Sequence, residues 1–168
     1  DPDATADNGS CEYVEDCAGE CGGDAEVDEC GVCDGDGSSC DGSCEEEVCL
    51  SIENINIDAG TLDVMITNTE PIGGFQFELF GMTITGIEGG IASQYLDLLD
   101  FNSSTGIILG ASVSGGIIPV GSSLLVQVTF TDYLGSAICF GTNPANNVIA
   151  DTVGYGLDTD WGDCYCDP

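Results

Sequence analysis

Closely spaced carboxylates are the side chains of this sequence that could do chemistry. Within each group they lie two to five residues apart, with glycine, serine or asparagine nearby to allow tight turns. A loop of this composition can wrap several oxygen atoms around one hard cation, which is how proteins bind Ca²⁺. The pattern therefore predicts calcium as the cofactor. The predicted ligands are Asp1, Asp3, Asp7, Asp24, Asp28, Asp34, Asp36, Asp41, Glu45, Asp158, Asp160 and Asp163.

The stretch that begins at Asp34 is the densest of these groups. It resembles an EF-hand-type calcium loop, because Asp36 stands at place three, a serine at place five and Glu45 at place twelve. It departs from that pattern at place six, where Ser39 replaces the expected glycine, and two cysteines fall inside the loop. The competing interpretation of all these acids is a solvated charged surface, but the chain contains no cationic side chain to offset them.

The charge balance excludes several classes of function. The chain has 31 acidic residues and no lysine, arginine or histidine, so its formal net charge is -31. Binding to nucleic acid, or to an anionic membrane surface, needs cationic side chains, and neither partner is expected unless metal ions bridge the contact. Serine nucleophiles have no histidine or lysine as a base, and a glycosidase pair needs one acid held protonated in an apolar pocket. The sequence therefore predicts that the protein is not an enzyme.

Cysteine is the second reactive residue type. Eight of the 11 cysteines lie before residue 50, in a stretch with few apolar residues, which favours a disulfide framework and an oxidising environment. Zinc is the alternative for Cys30 and Cys33, whose spacing suits a zinc knuckle, although the chain has no histidine. Because the total is odd, one thiol is free or bonded to another chain, and Cys139 is expected to pair with Cys164 or Cys166. The predicted disulfide cysteines are Cys11, Cys17, Cys21, Cys30, Cys33, Cys40, Cys44, Cys49, Cys139, Cys164 and Cys166.

These patterns divide the chain into two parts. Residues 1–49 hold more than half of the acids, cannot bury a core, and are predicted to be a disulfide-bonded, calcium-binding linker. Residues 50–168 are rich in aliphatic residues and long enough for one domain. The sequence shows no secretory signal and no membrane-spanning run, and it opens at Asp1 rather than at Met. We therefore expect a processed part of a longer precursor, located outside the cell or on its surface.

Alternation of apolar and polar residues dominates the second part and predicts β-strands. A hairpin turn is expected at Asp58-Ala59-Gly60, and Ala92–Asp100 is expected to form a short helical turn that packs its leucines and Tyr95 inward, with a loop as the alternative. The predicted fold class is mostly β: a disulfide- and calcium-stabilised irregular N-terminal segment followed by a jelly-roll-like β sandwich. The predicted strands are Ile52–Ile57, Leu62–Thr67, Phe75–Leu79, Met82–Ile87, Gly106–Ser114, Leu124–Thr131, Ala137–Gly141 and Val148–Ala150.

Two features of the sequence concern carbohydrate. Acceptor triplets for N-linked sugar begin at Asn8 and Asn102. A sugar-binding face would instead need exposed aromatic side chains in a row, and Trp161 and the nearby tyrosines are too scattered in sequence to indicate one. Because of the two acceptor triplets, a glycan remains a candidate partner.

Two stretches resemble known families. Asp16–Asp24, Asp28–Cys33 and Gly35–Cys40 resemble the Cys-Gly-Asp repeats of large secreted bacterial surface proteins, and Asp3–Tyr13 is similar to a further short repeat of those proteins. Both are similar to calcium-wrapped thrombospondin type 3 repeats. This resemblance implies a spacer, a stalk or an assembly element.

Residues 51–150 are similar to cohesin-type modules. The similarity is carried by strand patterning and a few glycines, and it implies a nine-stranded jelly-roll sandwich that binds a partner module in extracellular complexes. The segments that carry it are Gly74–Leu79, Met82–Gly86, Ile108–Ser112, Ile118–Gly121 and Leu124–Phe130.

Two functions follow from these observations. The first is a structural subunit of an extracellular filament or surface assembly, which polymerises with copies of itself through the calcium-bound linker and through β-strand pairing. The segment Leu50–Ile57 is the predicted donated strand, because an unpaired sheet edge is a template for an extended segment of another chain. The alternative is a cohesin-like or carbohydrate-binding adhesion module of a large secreted surface protein.

Overall fold

The computed structural model describes residues 44–133 and 137–165. The chain divides into two units, Asp1–Ser43 and Cys44–Pro168, and the description that follows concerns the second. Several predicted residues lie outside the described ranges. They are Asp1, Asp3, Asp7, Asn8, Cys11, Cys17, Cys21, Asp24, Asp28, Cys30, Cys33, Asp34, Asp36, Cys40, Asp41 and Cys166.

The described residues form strands and one short helix. Within residues 44–133 and 137–165, no helix is long and apolar enough to cross a membrane. The elements are β1 (Val48–Asn56), β2 (Thr61–Asn68), β3 (Ile72–Phe80), β4 (Thr83–Glu88), α1 (Ala92–Tyr95), β5 (Leu98–Asn102), β6 (Ile107–Ala111), β7 (Gly121–Thr131), β8 (Cys139–Phe140), β9 (Val148–Asp151) and β10 (Thr159–Asp160).

The strands form two sheets. The first sheet has the order β10-β1-β2-β7-β4, and the second has the order β5-β6-β3-β8, with β9 also paired to β3. Nearly all pairs are antiparallel, but β1 and β10 run parallel. The predicted mostly β sandwich is confirmed.

The core lies between the sheets because alternate residues of each strand point inward. Phe77 is fully buried at its centre. The Phe77 ring lies 5.6 Å from the ring of Phe75, 5.5 Å from that of Phe140 and 6.5 Å from that of Trp161, measured between centroids. These large side chains make the interior between the sheets a single apolar cluster.

The region predicted as a helical turn is only partly helical. The helix α1 ends at Tyr95, and β5 begins at Leu98 and pairs with β6. Leu96 is buried, but 42% of Tyr95 and 41% of Leu98 are exposed, so the prediction that both pack inward was wrong. For Leu98 the reason is the strand geometry of β5, which sends Leu98 and Leu99 to opposite faces of the sheet, whereas Tyr95 is the last residue of α1 and lies outside that strand.

The segment nominated as a donated strand pairs within its own chain. β1 lies between β2 and β10, and Leu50 pairs with Ile66 in the core, where only 2% of Leu50 is exposed. Its backbone hydrogen bonds are therefore used inside the sandwich. Within the described residues, β1 is not an edge strand: the first sheet ends at β10 and β4, and the second ends at β5 and β8.

Residues 157–165 form a C-terminal strap that joins the two sheets. The Leu157 N–H donates to the carbonyl of Ile149 in the second sheet, and the Val48 N–H donates to the carbonyl of Asp158, which starts the pairing of β1 with β10. Further along, Trp161 packs against the core, and a disulfide joins Cys164 to Cys139 of β8. The strap thus begins and ends on the second sheet and pairs with the first between those points.

Candidate interaction face

The outer face of the first sheet is mainly polar, although Met65 and Leu124 pair on it. Its side chains hydrogen-bond to one another across neighbouring strands: the hydroxyls of Thr67 and Ser122 lie 2.8 Å apart, and the Gln127 amide donates to Asp63 at 2.9 Å. Such alternation, with apolar residues inside and polar residues outside, is usual for an antiparallel sheet that faces water. This face is therefore suited to solvent.

The outer face of the second sheet is apolar. The register aligns its outward residues in rows across β5, β6, β3 and β9, and the row at one end consists of Leu98, Ala111, Gly74 and Ala150. The next row contains Leu109 and Val148 beside the polar Asp100 and Gln76, and in the third Ile107 lies between the polar Asn102 and Glu78. We call Leu98, Ile107, Leu109, Ala111, Val148 and Ala150 the apolar outer face.

The exposure of this face indicates a contact surface. The exposed fraction is 41% for Leu98 and 44% for Val148. The residues of the end row at Gly74, Ala111 and Ala150 have small side chains that project little from the sheet. A partner can therefore approach the backbone closely there. Contiguous apolar surface on a soluble protein marks a site of interaction. It is the clearest candidate site among the described residues.

A buried carboxylate lies at the far end of the apolar outer face. Glu78 is 8% exposed, and its side chain accepts a hydrogen bond of 2.7 Å from the Asn146 amide, while its backbone N–H donates to Asn147. Gly141 leaves room for this arrangement, because a Cβ there would lie 2.7 Å from the Glu78 carboxylate. The Asn146 amide therefore supplies the hydrogen bond that this acid, in a chain with no cationic side chain, cannot take from a cation.

The loop between β6 and β7 extends the apolar surface beyond the Leu98 row. Val113 and Ile117 are exposed, by 85% and 42%. Asp97 fixes this loop, since its carboxylate accepts the N–H of Val113 at 2.8 Å. That hydrogen bond, with smaller contributions from Ser114 and Ser112, holds the pKa of Asp97 below its ordinary value despite partial desolvation.

Asp151, the last residue of β9, is a second carboxylate that accepts backbone N–H groups of the loop that follows it. The Tyr155 and Val153 N–H groups both donate to Asp151, and they hold the pKa of Asp151 below its ordinary value. A lowered folded-state pKa means that each group stabilises the fold above the unfolded value of 3.8, and that this contribution is lost as pH falls through the folded pKa.

We therefore expect the stability advantage of the natural protein over D97N to shrink below pH 3.8. The asparagine oxygen still accepts the Val113 N–H but carries no charge, so only the charged contribution is removed. Urea unfolding midpoints of both proteins between neutral pH and pH 2.5 measure this difference in stability. A difference that stays constant with pH would contradict the assignment, and D151N gives an independent repeat.

The structure separates the predicted metal ligands that it describes. Glu45, Asp158, Asp160 and Asp163 are all exposed, and Asp160 accepts the N–H of Gly162. Within the described part of the chain, no three Asp, Glu, Cys or His side chains are grouped closely enough to hold a metal ion. Calcium binding at these residues stays a prediction.

The described cysteines are paired. Cys44 is bonded to Cys49, and Cys139 is bonded to Cys164, one of the two partners that the sequence left open. Asn102 is exposed at the end of β5, where a hairpin turn begins. The apolar outer face itself was not anticipated. Its signal in the sequence is β6, which is apolar at every position from Ile107 to Ala111, whereas a strand with one wet face alternates.

Comparisons with known proteins concern the sandwich. No family model matches the sequence, and no curated protein matches it. A non-cellulosomal cohesin from the hyperthermophilic archaeon Archaeoglobus fulgidus is similar in structure, with 16% identity over 70% of this chain and 86% of that chain and a TM-score of 0.46. CaCohA2 from Clostridium acetobutylicum is similar with 14% identity over 71% of this chain and 89% of that chain and a TM-score of 0.49.

Proposed function

We propose that this protein is a non-catalytic module of an extracellular assembly, and that its sandwich binds another protein through the apolar outer face. The observation that carries the proposal is the contrast between the two sheets: one outer face is mainly polar and hydrogen-bonded, and the other presents leucine, isoleucine, valine and alanine with polar residues beside them. Burial of apolar area stabilises a protein complex by roughly 25 cal/mol per Å² before the costs of association.

The disulfides support an extracellular location. Two bonds, Cys44–Cys49 and Cys139–Cys164, are present in the described residues. Structural disulfides form and persist in oxidising compartments and are rare in a reducing cytosol. The two bonds therefore support the proposal that the protein lies on the cell surface or in the secreted fraction.

A second copy of the chain is the partner that we favour, and repetition of the contact makes a filament. Copies of a chain with no lysine, arginine or histidine cannot form ion pairs with each other. A contact between them must therefore rely on apolar packing, on neutral hydrogen bonds such as strand pairing, or on metal bridges, and the apolar outer face supplies the first. Calcium at the predicted acidic ligands would reduce the repulsion between copies, each of formal charge -31.

A partner of a different kind is the second candidate, as in an adhesion module. Asp97 and Asp100 border the apolar outer face and are both exposed. A basic partner would gain electrostatic attraction from them and from the net charge, which raises association rates. A sugar-binding face is less well supported, because Trp161, Tyr133 and Tyr165 pack against the core.

Leu109→Gln is expected to weaken assembly at least tenfold, because it places an amide in the middle of the apolar outer face. Leu124→Gln is the matched control: it changes a half-buried leucine on the outer face of the first sheet. Light scattering across a concentration series measures self-association. If both variants assemble like the natural protein, the apolar outer face is not the contact.

Removing calcium is expected to break assemblies into smaller species while the sandwich stays folded. The described sandwich is held by its core and two disulfides, whereas the predicted linker depends on the ion. Electron microscopy with and without excess chelator shows the assemblies, and circular dichroism of the same samples reports the strands. Assemblies that are unchanged in chelator would exclude calcium as the connector.

A further inference from the structure

A pocket of about 260 Å³ opens at the end of the sandwich where the β5–β6 hairpin turn meets β3. The turn is held there by a 2.9 Å hydrogen bond from the Leu79 N–H to the carbonyl of Gly106. This end pocket is lined by Phe80, Met82, Ser103, Ser104, Thr105 and Asp132, among others.

The composition of the end pocket suits a sugar. Phe80 is 50% exposed, and its ring can pack against the apolar face of a pyranose. Three neighbouring hydroxyls, on Ser103, Ser104 and Thr105, can exchange hydrogen bonds with sugar hydroxyls. An aromatic wall with a few convergent polar groups is the usual form of a small-ligand site.

A glycosylation acceptor lies immediately beside this pocket. Asn102 ends β5 and starts the triplet Asn102-Ser103-Ser104, which has the acceptor pattern for N-linked sugar. The Asn102 side-chain oxygen accepts the N–H groups of Ser104 at 2.9 Å and Thr105 at 3.2 Å. These bonds fix the amide, and the described residues place no hydrogen-bond partner on its nitrogen.

We propose that Asn102 carries an N-linked glycan and that the sugars nearest the asparagine lie in the end pocket against Phe80. The donor is a lipid pyrophosphate-linked oligosaccharide. A bond forms between Asn102 Nδ2 and the anomeric carbon, and the bond from that carbon to the phosphate oxygen breaks. The lipid pyrophosphate leaves with the electron pair, and Nδ2 releases one proton to a base of the transferase.

The glycan would border the apolar outer face at the end opposite the Leu98 row, because Asn102 pairs with Ile107, a member of that face. Asn102 lies four residues along β5 from Leu98, a distance of about 13 Å. A glycan that turns toward Phe80 leaves the row of Leu98, Ala111, Gly74 and Ala150 uncovered. Failure of one proposal therefore does not imply failure of the other.

Mass spectrometry of protein isolated from its native source tests the modification. Trypsin cannot be used because the chain lacks lysine and arginine, but cleavage before Asp100 and Asp132 releases residues 100–131. We expect this peptide to carry the added mass of an oligosaccharide, which electron-transfer fragmentation places on Asn102. Recovery of the peptide only at its unmodified mass, or with sugar on another residue, overturns the proposal.

Variants expressed in the native host test the position of the sugars. Ser104→Ala destroys the acceptor triplet but keeps the backbone N–H that donates to Asn102, and it is expected to abolish the added mass. The glycosylated protein is expected to unfold about 2–4 °C above S104A. In the Phe80→Ala background this difference should disappear. An equal difference in both backgrounds would show that the sugars do not lie on Phe80.

Discussion

Replacing Cys139 and Cys164 together by serine is expected to lower the free energy of unfolding by about 3.5 kcal/mol, the value for a cross-link that closes a loop of this length. The sequence separation of the pair is 25 residues. The bond holds the end of the C-terminal strap on β8, so the strap cannot leave without exposing Trp161 and the core beneath it. Urea unfolding under non-reducing conditions measures the loss.

The Cys44–Cys49 pair is the matched control for this prediction. Its sequence separation is 5 residues, and the same relation gives about 2 kcal/mol for its removal. Both cysteines of a pair are replaced so that no new thiol exchanges with the remaining bonds. If the two double variants lose the same stability, loop length does not govern the effect. If the 139–164 variant loses nothing, the strap is held by packing alone.

Replacing Phe77 by alanine is expected to cost about 3–5 kcal/mol, which is the range for a buried aromatic residue. Phe77 is fully buried and contacts Phe75, Phe140 and Trp161. Alanine would leave a cavity between the two sheets and beneath the strap, and a close-packed interior closes such a cavity only in part. Urea or thermal unfolding followed by circular dichroism gives the value.

Phe80 provides the comparison for Phe77 on the same strand. It is 50% exposed, so Phe80→Ala is expected to cost only about 1 kcal/mol. Equal losses for the two variants would mean that Phe77 is not at the centre of the core. Comparing both with Leu109→Gln separates folding from assembly, because the Leu109 change is expected to affect binding much more than unfolding.

The salt dependence of assembly tests which partner the apolar outer face binds. Two copies of a chain with formal charge -31 repel each other, and salt screens this repulsion, with a Debye length of about 8 Å at physiological ionic strength. Homotypic assembly should therefore strengthen with salt, whereas binding of a basic partner should weaken. The direction of the salt dependence therefore distinguishes a second copy of the chain from a basic partner.

The sequence by itself determined the properties that depend on local pattern. Alternation between Leu62 and Thr67 predicted β2, and a turn residue able to adopt positive φ predicted the hairpin, where Gly60 has φ 65° and its N–H donates to Ile57. The lack of cationic side chains likewise means that the side chains at any contact surface are neutral or negative. These properties need only neighbours along the chain, so composition and periodicity are sufficient to read them.

Only the tertiary structure decided which segments meet. β10 is two residues long and has no pattern of its own, and it is a strand because Val48 and Cys49 lie beside Thr159 and Asp160. Cys164 rather than Cys166 reaches Cys139 through the path of the strap. The apolar outer face likewise exists because register aligns residues of the β5–β6 hairpin with β3 and β9, which are far from it and from each other in sequence. Contacts of this kind are set by global packing, which a period of two along one strand does not contain.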